Sequence, residues 1–165
     1  MSETINRRDF LTTSAAVAGT LTLSSKLFAQ AGGSINIGII GCGGRGSGAL
    51  GNVLEADKEV KVAAICDLNE GTAKRTFANL KAKHGDRLLA TEDAVFHGLD
   101  GYKKLLERSE VNYVILATPP GFRPYHLEAA VDAGKNIFTE KPVAVDVAGI
   151  RKCFEVAKRS REKGL

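Results

Sequence analysis

From residue 34 onward the chain alternates short apolar runs with longer stretches of helical spacing. Ser34 to Ile40 (SINIGII) is apolar and β-branched, and reads as a buried strand. A Gly-rich stretch from Gly41 to Gly48 follows, and Ala49 to Ala56 then has helical character. Val60 to Cys66 (VKVAAIC) reads as a second buried strand. Asn69 to His84 suits an amphipathic helix with Asn69 as N-cap. Ala94 to Phe96 is a short strand candidate, and Tyr102 to Arg108 a short helix. Val111 to Ala117 (VNYVILA) is a strong strand, and Pro124 to Ala133 a helix stopped by Gly134. Asn136 to Thr139 is a further strand, and Val147 to Arg161 a last helix capped by Asp146. Strands that alternate with helices predict βαβ units and a mostly parallel sheet covered on both faces.

The first residues have a different pattern. Asn6-Arg7-Arg8-Asp9-Phe10-Leu11 precedes a weakly apolar stretch from Thr12 to Leu23, and Ala29-Gln30-Ala31 closes the segment. Paired arginines, a modest apolar region and a small-x-small site make a twin-arginine secretion signal. The stretch is too short and too rich in Ser and Thr to span a bilayer, which needs ~20 mostly apolar residues. Residues 1–31 are therefore expected to be an export signal and residues 32–165 the mature part, located in the periplasm or outside the cell. The twin-arginine route carries folded proteins, which favours a protein that takes up a cofactor before export.

Composition then narrows the picture. The 165 residues are 44% hydrophobic and 25% charged, an ordinary soluble balance that excludes disordered and collagenous chains. The net charge of +4 is spread along the chain, without the basic cluster of a nucleic-acid binder. No membrane contact is expected once the signal is removed. The basic residues of the last helix, Arg151, Lys152, Lys158, Arg159, Arg161 and Lys163, read as a solvated face. Three Cys without a C-x-x-C pair argue against a disulfide scaffold or a zinc ribbon. Cys66 and Cys153 read as small buried groups, and Cys42 as a loop filler.

The candidate chemistry begins after the first strand. Gly41-Cys42-Gly43-Gly44-Arg45-Gly46 fits G-x-G-x-x-G, and Asp67 ends the second strand 21 residues beyond the third glycine. The spacing expected of a dinucleotide-binding unit is ~20. Gly41 would allow the tight turn, Gly43 the approach of a pyrophosphate, and Gly46 the packing of helix on strand. Gly44 and the rest of the helix N-terminus would offer free N–H groups to phosphate. Arg45 either touches the pyrophosphate or lies on the surface. Asp67 would accept from the ribose hydroxyls and repel a 2′-phosphate, so NAD is expected over NADP. Two more segments fall at strand ends, Ala117-Thr118-Pro119-Pro120 with His126 behind it, and Glu140-Lys141-Pro142. The fold class expected is α/β, a doubly wound, mostly parallel Rossmann-type sheet.

Together these segments resemble the N-terminal domain of the Gfo/Idh/MocA family of NAD(P)-dependent oxidoreductases. The resemblance rests on Gly41 to Gly46, Asp67, Ala117-Thr118-Pro119, His126, Ala133-Gly134-Lys135 and Glu140-Lys141-Pro142, and runs from about Ile35 to the C-terminus. It implies hydride transfer between the cofactor and a sugar, inositol or related polyol, in a protein that is usually homo-oligomeric. It implies that Lys141 is the catalytic residue, near the nicotinamide and the reacting hydroxyl. It also places Glu140, Thr118 and Pro119 along the cofactor, and leaves His126 between packing and cofactor contact. Family members exceed 300 residues and carry a second domain with an open, mostly antiparallel sheet, so the chain is expected to be a fragment whose sheet lacks its last strand. A stand-alone NAD-binding module is the alternative. A third reading is a related NAD-dependent glycosidase, against which Lys141 argues, because that branch tends to lack this lysine.

Overall fold

The computed structural model describes residues 34–165, so the expected signal at 1–31 lies outside the described residues. Five strands form one all-parallel sheet: β1 (Asn36–Ile40), β2 (Lys61–Asp67), β3 (Val95–His97), β4 (Tyr113–Leu116) and β5 (Asn136–Thr139). The strand order is β3-β2-β1-β4-β5, with β1 between β2 and β4. Among the described residues five helices connect and cover the strands: α1 (Gly44–Ala56), α2 (Glu70–His84), α3 (Gly101–Glu107), α4 (Arg123–Asp132) and α5 (Val147–Glu162). The expected doubly wound parallel architecture is the one observed.

Alternation along the strands decides the two layers. Ile37, Ile39, Ile65 and Ile115 point to one face, where they pack with Leu50 and Leu54 of α1 and Ala73 and Leu80 of α2. Their neighbours Ile40, Cys66, Val114 and Leu116 point to the other face, against Leu105 of α3 and Ala130 of α4. Burial on both faces is why these strands read as continuous apolar runs instead of alternating ones.

Several local predictions hold to the residue. The Asn69 side chain accepts from the Thr72 N–H at 3.0 Å at the start of α2, and Asp146 accepts from the Gly149 N–H at 2.6 Å at the start of α5. Gly134, at φ +70°, ends the turn after α4. Others shift. Helix α1 begins at Gly44 inside the Gly-rich stretch, five residues before the expected Ala49. Two short 3₁₀ turns, Gly85–Arg87 and Glu92–Ala94, lie between α2 and β3. The last helix is not simply a solvated face, because Lys152 and Arg159 reach Glu128 of α4 at 2.6 and 3.0 Å. Lys135 is buried; its Nζ donates to the carbonyls of Arg108 and Val111, which secures the approach to β4. No helix among the described residues is long and apolar enough to cross a membrane.

Candidate dinucleotide site

The strand order reverses at β1, so the chain leaves β1 and β4 in opposite directions and opens a crevice between their carboxyl ends. A cleft of about 500 Å³ lies there, with Gly41, Gly43, Asp67, Thr118, Pro119 and His126 on its wall. The Gly41 N–H donates to the Cys66 carbonyl at 2.8 Å, which ties the loop back onto β2. Gly41 has φ +93°, and a Cβ there would lie 2.8 Å from the Ala117 carbonyl carbon and the Thr118 nitrogen. A side chain at this turn would meet backbone on both counts. At Gly46 a Cβ would lie 1.9 Å from the Gly41 carbonyl oxygen. Helix and strand touch there through bare backbone. At Gly43, on the cleft wall, and at Gly44 a Cβ would meet nothing within 4 Å.

The first helical bond of α1 runs from the Ser47 N–H to the Gly43 carbonyl at 2.9 Å. The N–H groups of Gly44, Arg45 and Gly46 in the first turn therefore have no partner within the helix. Next to them, Asp67 is held on both oxygens. Its Oδ2 accepts from the Cys42 N–H at 2.7 Å, and its Oδ1 accepts from the Asn69 N–H at 2.9 Å. The end of β2 is thus locked to the Gly loop and to the start of α2. Cys42 is a core residue and not a loop filler: it is 4% exposed, and its Sγ donates to the Cys66 carbonyl at 3.3 Å. Burial, with Asp67 close by, pushes both the Cys42 and Cys66 thiols up to about 12. Such thiols stay protonated and unreactive at neutral pH.

On the opposite wall, Thr118 Oγ1 and His126 Nδ1 share a hydrogen bond at 3.1 Å, its direction set by the ring tautomer. The His126 ring packs at 4.3 Å from the Tyr102 ring centroid and stacks on Phe122 at 6.1 Å. Burial lowers the His126 pKa to about 4, so the ring is neutral at pH 7. A histidine in an unfolded chain titrates near 6.5, so the unfolded state binds more protons between those values. Stability contributed by neutral His126 is therefore lost as pH falls from about 6.5 to about 4, by about 2–3 kcal/mol. Urea denaturation at pH 7.5 and 4.5 of wild type and His126→Gln checks this. The wild type is expected to lose more stability than the variant, and equal losses would contradict the assignment.

Glu140, Lys141 and Pro142 follow β5, next along the sheet. They are not part of the cleft wall; Arg45 ties them to α1, and Arg123, which lines the cleft, ties them to the wall. Arg45 lies on the surface, and its guanidinium forms an ion pair with Glu140. That pairing holds the Glu140 carboxyl below the usual carboxylate range. Arg123 gives the second link and has no counterpart among the sequence expectations. It is 6% exposed, and its Nε donates to the Thr118 carbonyl at 2.6 Å. Its Nη1 donates to the carbonyls of Glu140 and Pro142 at 2.7 and 2.5 Å. Lys141 itself is exposed, and its side chain has no hydrogen bond or ion pair among the described residues. The structure thus groups Gly41, Gly43, Asp67, Thr118 and Pro119 around one cleft. It sets Gly44, Arg45 and Gly46 behind that cleft in α1, and Glu140 and Lys141 beside it.

A parallel sheet with a Gly-rich turn at its switch point, free helix N–H groups and an acid at the next strand end defines a dinucleotide-binding domain. The family comparison agrees. Residues 35–164 match the model of the Gfo/Idh/MocA oxidoreductase family, NAD-binding Rossmann fold, and the chain belongs to that family. Residues 4–24 match the twin-arginine translocation signal, so the protein is directed out of the cytoplasm by that route. Among curated relatives, a glycosyl hydrolase family 109 protein of Streptomyces coelicolor is 29% identical over 129 residues, covering 78% of this chain and 26% of that protein. A dTDP-3,4-didehydro-2,6-dideoxy-alpha-D-glucose 3-reductase of Actinomadura kijaniata is 30% identical over 131 residues, covering 79% of this chain and 34% of that protein. Among solved structures, a 3-ketoreductase from Actinomadura kijaniata in complex with NADP superposes with a TM-score of 0.59 at 28% identity, covering 81% of this chain and 37% of that one. The chain spans between 25% and 38% of the length of the curated relatives it matches.

One expectation changes here. NADP is not the lesser cofactor, because the ketoreductase that shares this fold binds NADP. Both Asp67 oxygens accept backbone N–H bonds. The cofactor class is NAD(P).

Proposed function

We propose that the cleft binds NAD or NADP and that residues 32–165 form the dinucleotide-binding domain of an exported oxidoreductase acting on a sugar, inositol or related polyol. The observation that carries this reading is the convergence of the Gly41 turn, Asp67 and the Thr118-Pro119 loop on one cleft at the switch point of the sheet. The cradle fits the group. The open side of Gly43 leaves room for a pyrophosphate, and the free N–H groups of α1 would donate to it. Remaining lone pairs of Asp67 would accept from the adenosine ribose, and Thr118 and Pro119 would flank the other end. When bound, the cofactor supplies the hydride acceptor or donor. Lys141 would orient the reacting hydroxyl and take or give its proton at Nζ. The named sugar-nucleotide substrate of the Actinomadura reductase supports a carbohydrate as the substrate class.

A second reading has its own support. Relatives named as glycosyl hydrolase family 109 proteins match this chain, and one relative is named as an alpha-N-acetylgalactosaminidase. That chemistry also uses a dinucleotide, through a transient oxidation with no net redox change. The retained Lys141 favours the oxidoreductase reading.

Calorimetric titration of the chain with NAD⁺ and NADP⁺ tests the proposal. Binding of at least one is expected, and no heat from either at millimolar concentration overturns it. The same titration with Asp67→Ala is expected to show about 10-fold or more weaker binding, since a hydrogen bond to a charged acceptor contributes about 1.5–3 kcal/mol. Unchanged affinity for the dinucleotide that binds would remove Asp67 from the site.

A further inference from the structure

Arg123 combines three features that are each unfavourable for an arginine used only as filler. It is almost fully buried, it stands at the first position of α4, and its guanidinium faces carbonyl groups and no carboxylate at hydrogen-bond distance. Burial makes a cation costly, and the positive end of a helix dipole adds to that cost. A methionine or leucine would occupy the volume without either penalty. What no apolar side chain supplies is a planar fork of donors that can meet acceptors in more than one direction.

The acceptors belong to two separate segments. Thr118 lies after β4, whereas Glu140 and Pro142 lie after β5. A single nitrogen, Nη1, bonds both Glu140 and Pro142, the residues on either side of Lys141. The backbone that carries Lys141 is therefore gripped before and after that residue, and the grip is anchored to the cleft wall through Thr118. Arg45 adds a second hold through the Glu140 side chain.

We propose that Arg123 is a positioning residue for Lys141: by bridging the carbonyls on both sides of it to Thr118, Arg123 sets where the Lys141 side chain leaves the backbone relative to the bound dinucleotide. This inference rests on the reading of Lys141 as the group beside the nicotinamide. Arg123 also lines the cleft, and the inference gives it no part in the chemistry beyond placing Lys141.

The test uses the whole chain with isotope-labelled methyl groups on its lysines, and Lys141→Arg to identify the Lys141 resonance. The probe is NAD⁺, or NADP⁺ if calorimetry shows that it binds better. In wild type, the dinucleotide is expected to shift the Lys141 resonance. In Arg123→Lys, dinucleotide affinity is expected to stay near wild type, because the Gly loop and Asp67 are untouched, while the shift of Lys141 is lost. A wild-type shift in Arg123→Lys overturns the inference and leaves the reading of Lys141 standing. A wild-type protein that binds dinucleotide without moving Lys141 overturns that reading, and the inference with it. If Arg123→Lys does not fold, Arg123→Ala with added ethylguanidinium carries the test. Return of the Lys141 response with ethylguanidinium is expected, and its failure to return overturns the inference. A merely structural arginine would change stability without this selective effect on one lysine.

Discussion

Gly46→Ala is expected to destabilise the domain by more than about 3 kcal/mol and to abolish dinucleotide binding. The added Cβ would lie 1.9 Å from the Gly41 carbonyl oxygen and 3.1 Å from the Ala117 Cβ. Neither neighbour can swing aside. Gly41 is fixed by its own positive φ and by its bond to the Cys66 carbonyl, and Ala117 by its N–H bond to the Ile40 carbonyl. The helix must therefore move off the sheet, which would pull Leu50 and Leu54 from their contacts with the strands. Gly48→Ala is the control, since a Cβ there meets nothing within 4 Å. It sits in the same helix and is expected to stabilise by about 0.5–1 kcal/mol, the usual gain of alanine over glycine in a helix. Thermal and urea unfolding of both variants checks the pair. A Gly46→Ala protein within about 1 kcal/mol of wild type would show that helix and loop do not meet as described.

The contrast between these glycines also shows what could be read from the sequence. Gly41 and Gly46 were legible because each answers a steric demand where the strand turns into the helix: a Cβ at either would meet backbone. The strands were legible because Ile37 to Ile40, Val62 to Cys66 and Val114 to Leu116 are buried on both faces and so form unbroken apolar runs. The start of α1 was not legible. Gly44, Gly46 and Gly48 are poor helix formers, and only tertiary packing holds that turn in the helix. The ion pair of Arg45 with Glu140 joins residues 95 apart, and nothing local announces it. Arg123 was the hardest of all. Its partners are backbone carbonyls, which every residue possesses, so no residue type signals the contact. The adjacent Pro124 and the loop glycine Gly121 suggest only a turn leading into a helix. A buried cation held by backbone carbonyls becomes evident only when the fold closes around it. Sequence shows the charge of Asp67 but not the two N–H groups that bind its oxygens.

Lys141→Ala is expected to reduce hydride transfer ~10²–10⁴-fold in the protein that carries its substrate site, the range over which a positioned proton donor or acceptor contributes. Dinucleotide affinity is expected to remain near wild type. The lysine is exposed, lies off the cleft wall and takes part in no hydrogen bond or ion pair among the described residues, so its removal leaves no buried group unsatisfied. Stability should be unchanged for the same reason. Lys141→Arg separates the two jobs a lysine could do. A guanidinium keeps the positive charge but does not release a proton at working pH, and its planar head is larger than an ammonium. If Lys141 acts by charge alone, arginine should recover much of the rate. If it moves the hydroxyl proton, arginine should be as slow as alanine, while the cofactor still binds. Steady-state rates with the reduced and oxidised dinucleotide, together with calorimetry on the same samples, distinguish these outcomes. Full turnover in Lys141→Ala would remove this residue from the chemistry.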